Sequence, residues 1–178
     1  MDIQALIDKY YPEDNELRRM FLTHSRQVAE RALQVAERHP ELGLDKILLY
    51  EGGMLHDIGI FMTDAPGIHC HGSEPYLLHG TIGAQLLRGE GLPQLARMCE
   101  RHTGAGLTCE DIRRQHLPLP ERDLLPETLE EKVVCYADKF YSKSNLERTK
   151  TPEQAFQSLR KFGEEGAQRF LEWDRQFR

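Results

Sequence analysis

The sequence has no stretch near the roughly 20 consecutive apolar residues that cross a bilayer, which argues against a membrane-spanning helix. Its first ten residues carry Asp2 and Asp8 and lack the basic-then-apolar pattern of a secretion signal, so a cytoplasmic location is expected. Its four cysteines, Cys70, Cys99, Cys109 and Cys135, include no Cys-x-x-Cys pair. That spacing disfavours a structural zinc finger, and reduced thiols are expected in the cytosol. No run alternates apolar and polar residues with the period of a strand, and there is no internal repeat or dividing linker. One all-α domain over residues 1–178 is therefore expected, with its core at about 23–143 and a helical extension at about 151–178. An excess of positive charge is also missing. There are 23 Lys and Arg against 29 Asp and Glu, a net charge of −6. Such a chain is a poor candidate for coating nucleic acid. A nucleotide substrate stays open, because a bound metal supplies positive charge locally.

What is present is helical periodicity. Leu17, Phe21, His24, Val28, Ala32 and Val35 recur at steps of three and four. A second helix is predicted over 45–56, ending near Gly59, which reads as a C-cap glycine. Residues 61–76 hold Pro66, Gly67, Gly72, Pro75 and the string His69-Cys70-His71, and read as a loop. Helices are predicted over 76–88 and 93–102, then an irregular stretch over 104–126. A capping box at Thr128 to Glu131 opens a fifth helix that runs through Val134, Asp138 and Tyr141. Thr151-Pro152-Glu153-Gln154 opens a sixth, with a break at Gly163 to Gly166. Phe170, Trp173 and Phe177 are assigned to the core, with packing on a second subunit, as a homodimer, left open.

Several polar residues fall on the apolar faces of these helices. His24 lies inside the first stripe, and His102 extends the stripe of Leu95 and Met98. Asp138 follows Val134 by four residues and precedes Tyr141 by three. His79 precedes Gly83 by one turn, and the glycine is expected to leave room beside the imidazole. His56-Asp57 ends an apolar helix, its two side chains about 100° apart. A lone inward histidine is usually a hydrogen-bonded core residue. Here a buried carboxylate and several imidazoles gather together, and such groups are normally paired or bound to metal. Nitrogen and carboxylate donors together suit divalent transition metals better than calcium, Fe or Mn first, with Co, Ni and Zn open. Asp57 is the natural bridge between two ions. The pattern points to a metal-dependent hydrolase. His69 and His71 are read as exposed or facing substrate, and His39 and His116 as surface residues.

The ordered set His24, His56-Asp57, Asp138 resembles the HD superfamily of metal-dependent phosphohydrolases. The string His56-Asp57-Ile58-Gly59 matches its HDIG subgroup, and His79 and His102 look like the added histidines of members that hold two metals. His79-Gly80-x-x-Gly83-Ala84 and His102-Thr103-Gly104 are partly similar to the HD-class symmetrical diadenosine tetraphosphate hydrolases. Those tend to have a second Thr where this chain reads Thr103-Gly104-Ala105-Gly106. The resemblance implies a helical bundle with the metal site in its core, two metals per chain, and metal-activated water attacking a phosphate mono- or diester of a nucleotide. It implies His24, His56, Asp57, His79, His102 and Asp138 as metal ligands, with Asp57 and Asp138 orienting the water. Arg101, Thr103, Gly104 and Lys139 are the candidates for holding phosphate. Two other readings share the ligand set: a di-iron oxygenase acting on a small organic substrate, and a non-catalytic nucleotide sensor. In each, the partner is a small molecule rather than a membrane or an extended nucleic acid.

Overall fold

The computed structural model describes residues 2–178; Met1, where the expected domain begins, lies outside the described residues. Helix α1 spans Ile3–Tyr10, where the sequence reading placed no element, and the Asp2 carboxylate caps it at the Ala5 amide. Helix α2, Glu16–Arg38, starts where the Asn15 side chain accepts from the Arg18 amide. Its buried face runs through Met20, Phe21, His24, Val28, Ala32 and Val35, so His24 occupies a core position as its spacing predicted. Asp45 caps helix α3, Lys46–Leu55, by accepting from the Ile47 and Leu48 amides. Helix α4, His79–Gly89, and helix α5, Pro93–Arg101, pack on each other across a short connection. Helix α7, Leu129–Asp138, opens with the Thr128–Glu131 capping box and packs on α2, α3 and α5. It ends at Asp138, three residues sooner than its apolar pattern suggested.

Two stretches read as irregular contain structure. Residues 61–76 carry a small sheet: β1 (Thr63–Ala65) runs antiparallel to β2 (Cys70–His71) and parallel to β3 (Glu74–Pro75). Strands of two or three residues are too short to display an alternation, which is why no strand was predicted. A single 3₁₀ turn at Tyr76–Leu78 delays α4 until His79. Between α5 and α7, residues 104–126 hold the short helix α6, Cys109–Arg114, with a capping box formed by Thr108 and Asp111. The C-terminal segment breaks after helix α8, Pro152–Arg160, and resumes as α9, Glu164–Phe177. Phe170 and Phe177 lie against Tyr136 of α7, and the Tyr136 hydroxyl donates to Asp174 at 2.9 Å. The aromatic residues of α9, Trp173 included, are buried in this core, as assigned.

The α2–α3 contact is close enough to exclude a side chain. A Cβ at Gly53 would stand 2.5 Å from Ala29 Cα and 2.7 Å from Ala29 N, both backbone atoms. Alanine normally favours a helix interior over glycine by about 0.5–1 kcal/mol. Here overpacking of about 1–3 kcal/mol opposes that gain and wins. Gly53→Ala should therefore lower the urea midpoint, a net loss of about 1–2 kcal/mol with an unchanged m-value. A raised midpoint would show that the two helices separate at little cost.

Candidate metal centre

Five elements deliver polar side chains to one buried point. His24 comes from the middle of α2, and His56 and Asp57 from the end of α3. His79 opens α4, His102 follows the last residue of α5, and Asp138 closes α7. All six are buried. They form two groups of converging donor atoms that share Asp57: His24, His56, Asp57 and Asp138 in one, Asp57, His79 and His102 in the other. The sharing is visible in the carboxylate itself. Asp57 Oδ2 lies 3.2 Å from His24 Nε2 and 3.1 Å from His56 Nε2. Its Oδ1 lies 3.4 Å from His79 Nε2 and 3.3 Å from His102 Nε2. Asp138 Oδ1 stands 3.1 Å from His24 Nε2 and 3.4 Å from His56 Nε2.

Three of the four imidazoles are anchored through Nδ1. Nδ1 of His56 meets the Gly53 carbonyl at 2.8 Å, that of His79 the Tyr76 carbonyl at 2.6 Å, and that of His102 the Cys99 carbonyl at 2.7 Å. A carbonyl only accepts, so each Nδ1 carries the proton and each Nε2 presents its remaining valence to the centre. His56 Nε2 and Asp57 Oδ1 are buried without a hydrogen-bond partner, while Asp57 Oδ2 meets the Lys143 ammonium at 2.7 Å. Buried polar atoms are rarely left so, and donors aimed at a common point rather than at each other fit a bound cation. This donor set, four imidazoles and two carboxylates, suits divalent transition metals.

The pattern of the HD domain family matches residues 21–142, which contain all six of these residues. The chain belongs to the HD-domain family. It is 43% identical over 124 residues to an uncharacterised protein of Methanocaldococcus jannaschii, covering 64% of this chain and 66% of that one. It is 34% identical over 128 residues to a tRNA (cytidine(56)-2'-O)-methyltransferase of Picrophilus torridus, covering 71% of this chain and 33% of that one. A protein of the same name from Thermoplasma volcanium is 33% identical, with 68% and 31% covered. The chain thus spans just under two thirds of the first relative and about one third of the methyltransferases. Among solved structures, the HD domain of the Listeria monocytogenes phosphodiesterase PgpH superposes with a TM-score of 0.53 at 15% identity, covering 95% of this chain and 93% of that one. That likeness is one of fold.

The charges in this HD domain are arranged around Asp57. Burial works against its ionised form, but His56 and Lys143 outweigh it and hold the carboxyl well below its usual range. Burial likewise opposes ionisation of Asp138, and Lys139 and His24 reverse the balance. The same two carboxylates overcome the burial of His56 and raise it to about 9. His79 goes the other way: burial, then the neighbouring His102, lower it to about 3, and burial also lowers His102. At neutral pH His79 and His102 are neutral donors, whereas His56 carries a proton that balances the carboxylates.

Beside these residues opens a cavity of about 580 Å³ whose wall includes His79, His102, Asp138 and three lysines, Lys139, Lys143 and Lys150. Thr103, Gly104 and Lys139 line it. Lys139 Nζ donates to Asp138 Oδ2 and to the His102 carbonyl, both at 2.7 Å. Arg101 does not line it. One residue before His102, its side chain projects about 100° away round the helix, where Nη1 donates to the Leu125 carbonyl and pairs with Glu127, each at 2.7 Å. Lys143, not singled out from the sequence, is the cation nearest Asp57, with Nζ 2.7 Å from Oδ2. It lies beyond the end of α7, where helical spacing no longer reports direction.

Two further expectations change. Gly59 is not a left-handed cap; its φ is −86°. A Cβ there would strike the His79 carbonyl oxygen and stand 2.5 Å from Gly83 N, so Gly83 makes room for Gly59 rather than for the imidazole. The His69–His71 string belongs to neither donor group. His69 Nδ1 lies 3.2 Å from Glu16 Oε2, and His69 and His71 line a separate cleft with Tyr10, Tyr11 and Phe61.

The protonation of His56 gives a thermodynamic signature. Without added metal, its raised pKa stabilises the fold fully below pH 6.5, and this contribution is lost as pH rises through about 9. A metal at Nε2 displaces the proton. Mn²⁺ binding at pH 7.5 should release about one proton per chain, and the release should fade as pH passes 9. Calorimetric titration in two buffers of different ionisation enthalpy measures it, and heats independent of buffer would contradict the assignment.

Proposed function

We propose that the chain is a metal-dependent phosphohydrolase acting on a small phosphate mono- or diester, with nucleotides as the first substrate class. The observation that carries this reading is the Asp57 carboxylate, which offers one oxygen to each of two donor groups. His24, His56, Asp57 and Asp138 would hold one metal, and His79, His102 and Asp57 a second. Once bound, such ions polarise a phosphoryl oxygen and generate hydroxide from water near neutral pH. Lys139 and Lys143 would receive the charge of the phosphate, since both line the cavity and burial is outweighed by carboxylates that keep them charged. Thr103 and the Gly104 backbone would add hydrogen bonds at the same wall. Asp138 and Asp57, both ionised, would orient the attacking water. No serine or cysteine nucleophile is needed: Cys99 and Cys135 are buried, and burial raises their thiol pKa values, that of Cys135 to about 11.

The methyltransferase relatives bring RNA into view as a partner, but a net charge of −6 and a buried centre favour a small ligand over an extended polynucleotide. The phosphodiesterase among the structural neighbours accords with phosphate chemistry while resting on fold alone.

Metal content and phosphate release measured on one preparation test the reading. Elemental analysis should find about two transition-metal ions per chain, and His102→Ala should reduce this to about one. Asp57→Ala removes the shared ligand. Loss of an outer-shell partner alone costs roughly 10–100-fold, so phosphate release from nucleotides should fall further than that. Two bound irons with oxygen uptake and no phosphate release would move the assignment to oxygen chemistry.

A further inference from the structure

The cavity beside the candidate centre has two sources. Its inner end, His79, His102, Asp138 and Lys139, lies within the span that matches the family. A second part of the wall, Lys150, Ala155, Ser158, Leu159 and Phe162, lies beyond that span. The last four recur at steps of three, one and three, which is one face of α8 carried just past its end. Ala155 and Leu159 are buried on that face, so the core fixes its position. Phe162 is the exception. It ends the face with a ring 72% exposed, where an aromatic side chain normally finds cover. Leu107 and Leu117 also line the cavity, and Tyr76, stacked on His79 with 4.6 Å between ring centroids, adds a flat surface at the inner end. The volume, about 580 Å³, falls in the range of roughly 300–1,000 Å³ usual for small-molecule sites. Lys139 and Lys143 thus mark the end beside the donor groups, and the face of α8 adds an apolar surface ending in an aromatic ring to the same wall.

We propose that the face of α8, ending in Phe162, determines specificity by binding the flat apolar half of a phosphate ester whose phosphate lies at the lysine-lined end. The occupant is amphipathic: an anion joined to a planar group of low polarity, for which a nucleobase is the test case. Lys150, half-buried in the same wall, adds positive charge for an anionic ligand beyond that of Lys139 and Lys143. The phosphate half of this assignment rests on the hydrolase reading; the apolar half does not.

The experiment uses the full chain loaded with Mn²⁺ and two non-hydrolysable ligands. These are the phosphonates of AMP and of ribose 5-phosphate, in which a methylene replaces the ester oxygen. Equilibrium dialysis should show the adenosine compound binding at least about tenfold tighter, the size of one base–aromatic stack. Phe162→Ala should reduce that ratio roughly tenfold, and Phe162→Tyr should retain it. Because the ring is largely exposed, both variants should keep the wild-type circular dichroism. A ratio near one in the wild type, or a ratio untouched by Phe162→Ala, overturns the proposal. Phosphate release from AMP and ribose 5-phosphate, followed on the same preparations, separates the two claims. A Phe162-dependent preference without phosphate release, and without cleavage of a nucleoside cyclic phosphate diester on the same preparation, supports the pocket and sinks the hydrolase reading. Phosphate release without the preference does the reverse.

Discussion

The centre of the molecule is organised by one carboxylate that cannot stand alone. Asp57 is fully excluded from solvent. An uncompensated buried charge of this kind costs several kcal/mol even after relaxation. The fold answers by bringing four imidazoles and the Lys143 ammonium to within 3.4 Å of its two oxygens. That convergence constrains the backbone. α2 and α3 must approach until Gly53 touches Ala29, and the turn after α3 must press against the start of α4 until Gly59 meets Gly83. The glycines serve closeness, and closeness serves the carboxylate.

The second device is the use of helix ends. The last carbonyls of a helix have no intrahelical partner and must be satisfied some other way. His56 and His102 each follow the final residue of a helix, and each turns Nδ1 back to a carbonyl three residues earlier. One hydrogen bond thereby caps a helix and fixes a tautomer. His79 achieves the same at the start of α4 by using the carbonyl of Tyr76 in the preceding turn. His24 differs: it sits in mid-helix, and its Nδ1 is buried without a partner. Its position is held instead by packing on α2 and by the two carboxylates at its Nε2.

This contrast explains what could be read from the sequence. His24, His102 and Asp138 interrupt or extend apolar stripes, so helical spacing alone placed them inside. The helical class and the capping boxes at Thr128 and Thr151 were legible for the same local reason. Lys143 was not, because it acts from a turn, where periodicity carries no direction. Arg101, chosen for its neighbourhood to His102, turns instead to Leu125 and Glu127, since adjacent residues on a helix face different ways. The strands of residues 63–75 and helix α6 were missed because elements of two to six residues leave no period to detect. His69 and His71 crowd together in sequence yet join neither donor group, and they are exposed, as their place in a Gly/Pro stretch suggested.

The split between centre and pocket bears on how such a chain acquires a substrate. A carboxylate shared by two groups of imidazoles tolerates little change, because every donor depends on its neighbours for charge and position. The face of α8 is under no such constraint. Its core-facing Ala155 and Leu159 hold the helix in place, and the exposed ring of Phe162 bears little of the fold. Altering that ring changes which molecule is held while leaving the donors untouched. The lysines make the same separation in charge. In a chain of net charge −6, three lysines, Lys139, Lys143 and Lys150, share one wall. An anion is drawn to that wall, and the remainder of the ligand is then judged by an apolar surface that the family's matched span supplies only in part.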